Sequence, residues 1–183
     1  RWLILIAYLM GLSIGVHLLN LLTIPAIVAV YYFRRYQPTF KGFCIAMLAS
    51  VVILAVVLYG MIPGFVLVAG WFELLFVNNL GFSFNTGLFV YIILTLAAIV
   101  WAIYETYTDK NKNNEIISTV IVVSIVGIPF FGSGTTGKII LGILLAIGFG
   151  VFLAWLNKKD LLSSRVLNTG VIMIAVMLIG YSS

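Results

Sequence analysis

The charged residues of this chain are spaced so that apolar runs of about 20 residues lie between them, the length a helix needs to cross a bilayer. Lipid offers backbone groups no water, so such a run must satisfy its own hydrogen bonds as a helix or within a closed barrel. The runs are continuous rather than alternating in polarity, which selects helices over barrel strands. A soluble domain carries about 25% charged residues, whereas this chain is 8% charged and 63% hydrophobic over 183 residues. The expected fold is all-α. It is a polytopic membrane helix bundle of about six transmembrane helices plus interfacial helices, forming one domain over residues 1–183.

A short interfacial or tilted helix is expected at 2–10, leading into a span at 11–33. Further spans are expected at 43–62, 86–104, 116–131, 138–156 and from 166 onward. Residues 63–85, "PGFVLVAGWFELLFVNNLGFSFN", are apolar but interrupted by proline and glycine. Their Trp and Phe content suits headgroup level, so they are expected to lie on or dip into the membrane, with a seventh span as the alternative. The chain starts at Arg1 and stops inside an apolar run, and reads as an internal piece of a longer protein without a cleavable leader.

Arg34, Arg35 and Lys41, then Lys110 and Lys112, then Lys158, Lys159 and Arg165 fall in alternate connections, leaving Lys138 and Arg1 for the opposite side. Loops rich in Lys and Arg stay cytoplasmic, so the net charge of +5 reads as a topology signal. A nucleic-acid partner would call for a basic face on a soluble domain. Residues 132–138, "GSGTTGK", have the glycine and lysine spacing of a phosphate-binding loop, but Ile139 stands where a magnesium-binding hydroxyl belongs. No strand precedes the motif and the charge pattern puts it outside the cytoplasm, so it reads as a glycyl turn with Lys138 reaching the interface. No nucleotide, cofactor or metal site is expected. Cys44, the sole cysteine, excludes an internal disulfide and reads as a small apolar side chain.

The first span holds the densest polar content. Ser13, His17 and Asn20 are spaced i, i+4, i+7 and would share one face of a continuous helix. Gly11 and Gly15 would lie opposite, as a small-residue face for close helix approach. An ionisable residue at membrane depth is a functional candidate, the plain alternative for His17 being a hydrogen bond to a neighbouring helix. Glu73 is the only acid on the outer side, a general-base candidate against simple solvation. Asn78 and Asn79 suit a sugar or headgroup, or a helix cap. The Gly142, Ala146, Gly150 ladder is assigned to helix packing, and residues 105–115, "ETYTDKNKNNE", to a solvated cytoplasmic loop.

The stretch "GLSIGVHLLNLLTIPAIVAVYYFRRY" at 11–36, with the terminal "RVLNTGVIMIAVMLIGYSS", resembles a protein O-mannosyltransferase-like family of bacterial membrane proteins found in Bacteroidetes. The resemblance extends along the chain and is most specific over 11–25. More distantly, the glycine pair, polar residue and proline of this segment resemble a helix of GT-C glycosyltransferases. The resemblance implies a multi-span enzyme of the bacterial inner membrane. It would move a sugar from a polyprenyl-phosphate donor to a protein or glycan on the outer side. The catalytic acid of GT-C enzymes sits in an early outer loop, and no residue here matches it. His17 and Asn20 fall in the matching segment and would face the donor. Two other classes stand beside this one: a transporter or flippase, which requires a continuous polar path, and a scaffold subunit, which requires His17 and Asn20 buried between helices.

Overall fold

A computed structural model describes residues 2–131 and 136–181. Its described residues are mostly helical, joined by short turns, with no strand among them. Eight α-helices follow in order: α1 (Trp2–Val16), α2 (Thr23–Arg35), α3 (Phe40–Ala55), α4 (Ile62–Leu74), α5 (Thr86–Thr108), α6 (Lys112–Ile125), α7 (Thr136–Lys158) and α8 (Ser164–Tyr181). Five helical stretches are long and apolar enough to cross a membrane: Leu18–Arg35, Phe40–Asn79, Thr86–Thr108, Gly137–Lys158 and Ser164–Tyr181. With α1 and α6 as shorter helices of 15 and 14 residues, this is the expected all-α membrane bundle of a multi-pass protein.

The span expected at 116–131 is instead the 14-residue α6, ending at Ile125 and outside the five long apolar stretches, and two boundaries also differ from the sequence expectation. The first apolar run does not break near Met10. Helix α1 continues to Val16, the chain turns at His17, and a 3-10 turn over Leu18–Leu22 leads into α2. Trp2 shares a cavity wall with Arg34 and Arg35, so α1 and α2 form the two arms of a hairpin and 2–10 is not a separate interfacial helix. Arg1, assigned by charge to the opposite side, lies outside the described residues, but its neighbour Trp2 stands at the Arg34–Arg35 end.

The second difference is at Pro63. A proline inside a helix removes a backbone donor and crowds the carbonyl one turn earlier, which is why a new helix was expected there. Instead a π-helical segment over Val56–Met61 widens the turn just ahead of it, with the Ile62 N–H bonded five residues back to the Val57 carbonyl. The wider register relieves the crowding, and 40 residues from Phe40 to Asn79 form one rod. Its second half packs along α5 and the end of α6. Gly60 and Gly64, one turn apart, let the rod touch the backbone of Ile128 and Gly127 directly. Gly127 adopts φ +84, a left-handed conformation that glycine takes without penalty, and there α6 ends. Tyr91 of α5 is fully buried between Phe65 and Phe72, with ring centroids 5.4 Å away on each side. Its hydroxyl donates to the Ile125 carbonyl at 2.9 Å, satisfying an acceptor that the end of α6 leaves open.

Helices α1 and α8 run parallel: Ala7 shares a cavity with Met173, Gly11 faces Met177 and Gly180, and Gly15 faces Tyr181. Helix α7 is antiparallel to α6, with Gly142 on Phe130 and Gly150 on Val120. Two members of the expected small-residue ladder therefore do pack. Ser164 at the start of α8 donates to Asp109 Oδ1 at the end of α5, at 2.7 Å. These directions gather Arg34, Arg35, Lys41, Lys110, Lys112, Lys158, Lys159 and Arg165 at one end of the bundle, the pattern expected from alternating loops.

Candidate functional site

The three polar residues of the first apolar run meet at the tip of the α1–α2 hairpin, at the end opposite the basic residues. They do not share a continuous helical face. His17 is extended, with φ −153 and ψ 115, and the spacing that would align it with Ser13 and Asn20 applies only within an unbroken α-helix. The tip is held by the backbone. The Ser13 carbonyl accepts from His17 N at 2.9 Å and from Asn20 Nδ2 at 3.1 Å. Asn20 therefore closes the C-terminus of α1, satisfying a helix-end carbonyl. Its own carbonyl accepts from Thr23 Oγ1 at 2.7 Å, carrying the turn into α2.

Ser13 and Asn20 line one polar-edged cleft of about 290 Å³ with Thr23 and the apolar side chains of Ile6, Met10 and Ile27. His17 stands outside it, exposed to the surroundings. Its Nδ1 accepts from Leu19 N at 3.3 Å. A neutral imidazole that accepts at Nδ1 carries its hydrogen on Nε2, which has no hydrogen-bond partner among the described residues. The tip thus presents a ring N–H donor outward beside a small cleft.

Glu73 is engaged elsewhere. Its Oε1 accepts from Asn85 N at 2.6 Å and its Oε2 from Leu88 N at 3.0 Å, so the carboxylate caps α5 from the neighbouring helix. Asn85, at the N-cap with φ 69, makes no side-chain cap of its own, and a carboxylate suits the positive end of the helix dipole. Both oxygens of Glu73 are thus engaged with backbone donors at the start of α5. Asn78 and Asn79 are exposed at the π-helical end of the rod. The cleft at the hairpin tip is lined by none of Glu73, Asn78 and Asn79, although all lie toward the same end. Residues 132–135 of the glycine-rich motif lie outside the described residues; Lys138, on α7, is exposed.

A polar cluster at the basic end escaped the sequence reading, which took 105–115 as a solvated loop. Glu115 is fully buried in the first turn of α6. Lys112 Nζ donates to its Oε2 at 3.1 Å, stands 3.8 Å from Asp109 Oδ1, and donates to the Ser164 hydroxyl. Asn168 of α8 donates to Thr106 Oγ1 of α5 at 3.0 Å. The Ser164 hydroxyl holds the Asp109 carboxyl below the usual carboxylate range, helped by the Lys112 ammonium. The i, i+3 spacing of Lys112 and Glu115 is legible in the sequence. Nothing in it signals that Ser164 closes the cluster from 52 residues away.

Residues 1–40 match the family model of the protein O-mannosyl-transferase TMEM260 N-terminal domain. The matched stretch takes in α1, the tip with His17 and Asn20, and α2, a narrower span than the resemblance read along the whole chain. No curated protein and no solved structure matches the chain.

Proposed function

We propose that this chain is a membrane part of a glycosyltransferase that moves a sugar from a polyprenyl-phosphate donor to a protein or glycan. The reaction would take place at the end of the bundle opposite the basic residues. The observation that carries this reading is the coincidence of the family match at 1–40 with the hairpin whose tip offers the Nε2–H of His17 beside a polar-edged cleft. A ring N–H suits a phosphate or sugar oxygen of a donor whose lipid tail stays in the bilayer, and a charged acceptor strengthens such a bond. The scaffold alternative requires His17 buried between helices, and its exposure favours the transferase. The GT-C class, the bacterial inner membrane and an outward-facing tip belong to the same reading. They are supported by the resemblance at 11–36 and by the gathering of Lys and Arg at the other end.

His17→Ala in the full-length protein is expected to lower transfer roughly 10- to 100-fold, the value of a hydrogen bond to a charged group. Its melting should stay within about 0.5 kcal/mol of wild type, as for an exposed side chain. Asn20→Ala should instead lose about 1 kcal/mol of stability, because the Ser13 carbonyl then keeps only the His17 N–H and the side-chain bond that closes the turn is gone. A sugar-transfer assay run beside thermal unfolding in detergent separates the two effects; full transfer by folded His17→Ala protein would refute the role.

Orientation is tested with single cysteines at Thr39, Phe84 and Asn113 in a Cys44→Ser background, labelled in intact spheroplasts with a membrane-impermeant thiol reagent. Phe84→Cys should react and the other two should not. The reverse pattern would invert the topology and move the hairpin tip to the cytoplasm.

A further inference from the structure

We infer that the groove between α1 and α2 is a binding site for one anionic phospholipid, its chain lying between the helices and its phosphate held by Arg34 and Arg35. The inference is independent of the glycosyltransferase reading, since it needs only a membrane around the hairpin. The two arms are joined at the tip but are held apart along their length. Between them lie two apolar chambers of about 290 and 500 Å³. Leu3, Ile6, Ile27 and Tyr31 line both chambers, which adjoin across these four side chains. Met173 and Met177 of α8 line the inner one, soft side chains that adapt to an irregular guest.

Two features choose the occupant. The groove has a closed end and an open end. At the tip the Asn20–Ser13 bond joins the arms, so the groove follows α2 for about 20 Å. That is little more than one leaflet of a hydrocarbon layer about 30 Å thick, the depth of a lipid chain rather than of a crossing helix. At the open end the wall is Trp2, Arg34 and Arg35. No carboxylate lies within ion-pair distance of either arginine among the described residues. A second apolar helix would gain nothing from two unpaired guanidinium groups, whereas a phosphate accepts from both. Trp2, 79% exposed, stands at the same rim, a usual position for tryptophan at headgroup level.

The test uses the full chain in phosphatidylcholine bilayers with spin-labelled phosphatidylglycerol or spin-labelled phosphatidylcholine, reading the motionally restricted fraction of each by electron paramagnetic resonance. Wild type should favour phosphatidylglycerol several-fold, as about fivefold per arginine near an anionic headgroup implies. Arg34→Gln with Arg35→Gln should bring the ratio near one. Ala26→Trp, at an exposed position on the groove wall, should lower it with both arginines kept. Lys158→Gln with Lys159→Gln removes two charges at the same end of the bundle and should leave the ratio unchanged. An unchanged ratio in the arginine double variant would overturn the site. So would an equal loss in the lysine pair, which would mean diffuse surface attraction, or full selectivity in Ala26→Trp, which would mean that the groove is empty or holds a protein segment.

Discussion

Lys112→Met should destabilise the protein by about 3–5 kcal/mol, the cost of leaving a buried carboxylate without its ion-pair partner. Glu115 is completely enclosed, and Lys112 supplies the hydrogen bond to its Oε2. Its Oε1 has no hydrogen-bond partner in the structure, so there is no second donor to take up the loss. The same change releases Ser164 and Asp109, loosening the junction of α5, α6 and α8 at the basic end. Lys112→Met combined with Glu115→Met should recover much of the loss, because a packed apolar pair replaces a desolvated ionic one at little cost. Thermal unfolding in detergent of the two single variants and the double variant gives the coupling directly. A Lys112→Met protein that melts with wild type would show the cluster to be solvated. Acid should act on the same junction. Asp109 has a depressed pKa, so its contribution is present above the ordinary aspartate range and is lost as pH falls through the lower folded value.

Gly11→Leu is expected to cost upwards of about 3 kcal/mol, at the severe end of overpacking effects, and Gly15→Leu less than about 1 kcal/mol. The sequence made these two glycines equivalent, as one small-residue face. In the structure a side chain on Gly11 would meet the Met177 carbonyl and the backbone of Gly180, and neither can move without separating α1 from α8. Gly15 is exposed, with only the Tyr181 carbonyl in ordinary contact at 3.5 Å. The packing pair is therefore Gly11 with Gly180, on two helices far apart in the chain. Helices in lipid associate through close packing rather than through a hydrophobic force, so losing that approach should lower the melting temperature and expose α8 to protease. Equal damage from both variants would mean that α1 turns its Gly15 side inward when embedded.

The class of fold and the gathering of basic residues at one end were legible in the residues themselves, because they follow from quantities that add up locally. Twenty apolar residues in lipid must be helical wherever they fall in a fold, and alternating loops bring every second connection to the same end. The positions of α5 and α7 came through for the same reason, each being a 23-residue helix that ends at a charged turn. What stayed hidden depended on partners distant in sequence. Pro63 looked like a boundary because the π turn ahead of it is stabilised by packing against Ile128 and Gly127, not by its own residue preferences. His17 looked like part of a helical face because no proline or charge marks the turn there; the turn is made by the bond from Asn20 to the Ser13 carbonyl and by the fit of α1 on α8. Glu73 read as a base candidate or a solvated acid and Glu115 as part of a solvated loop, yet one caps the N-terminus of α5 and the other lies inside a three-helix junction. Composition tells a chain which solvent it must face. Which polar groups end up satisfying one another is set only when the helices meet, since a side chain 52 residues away can supply the missing hydrogen bond.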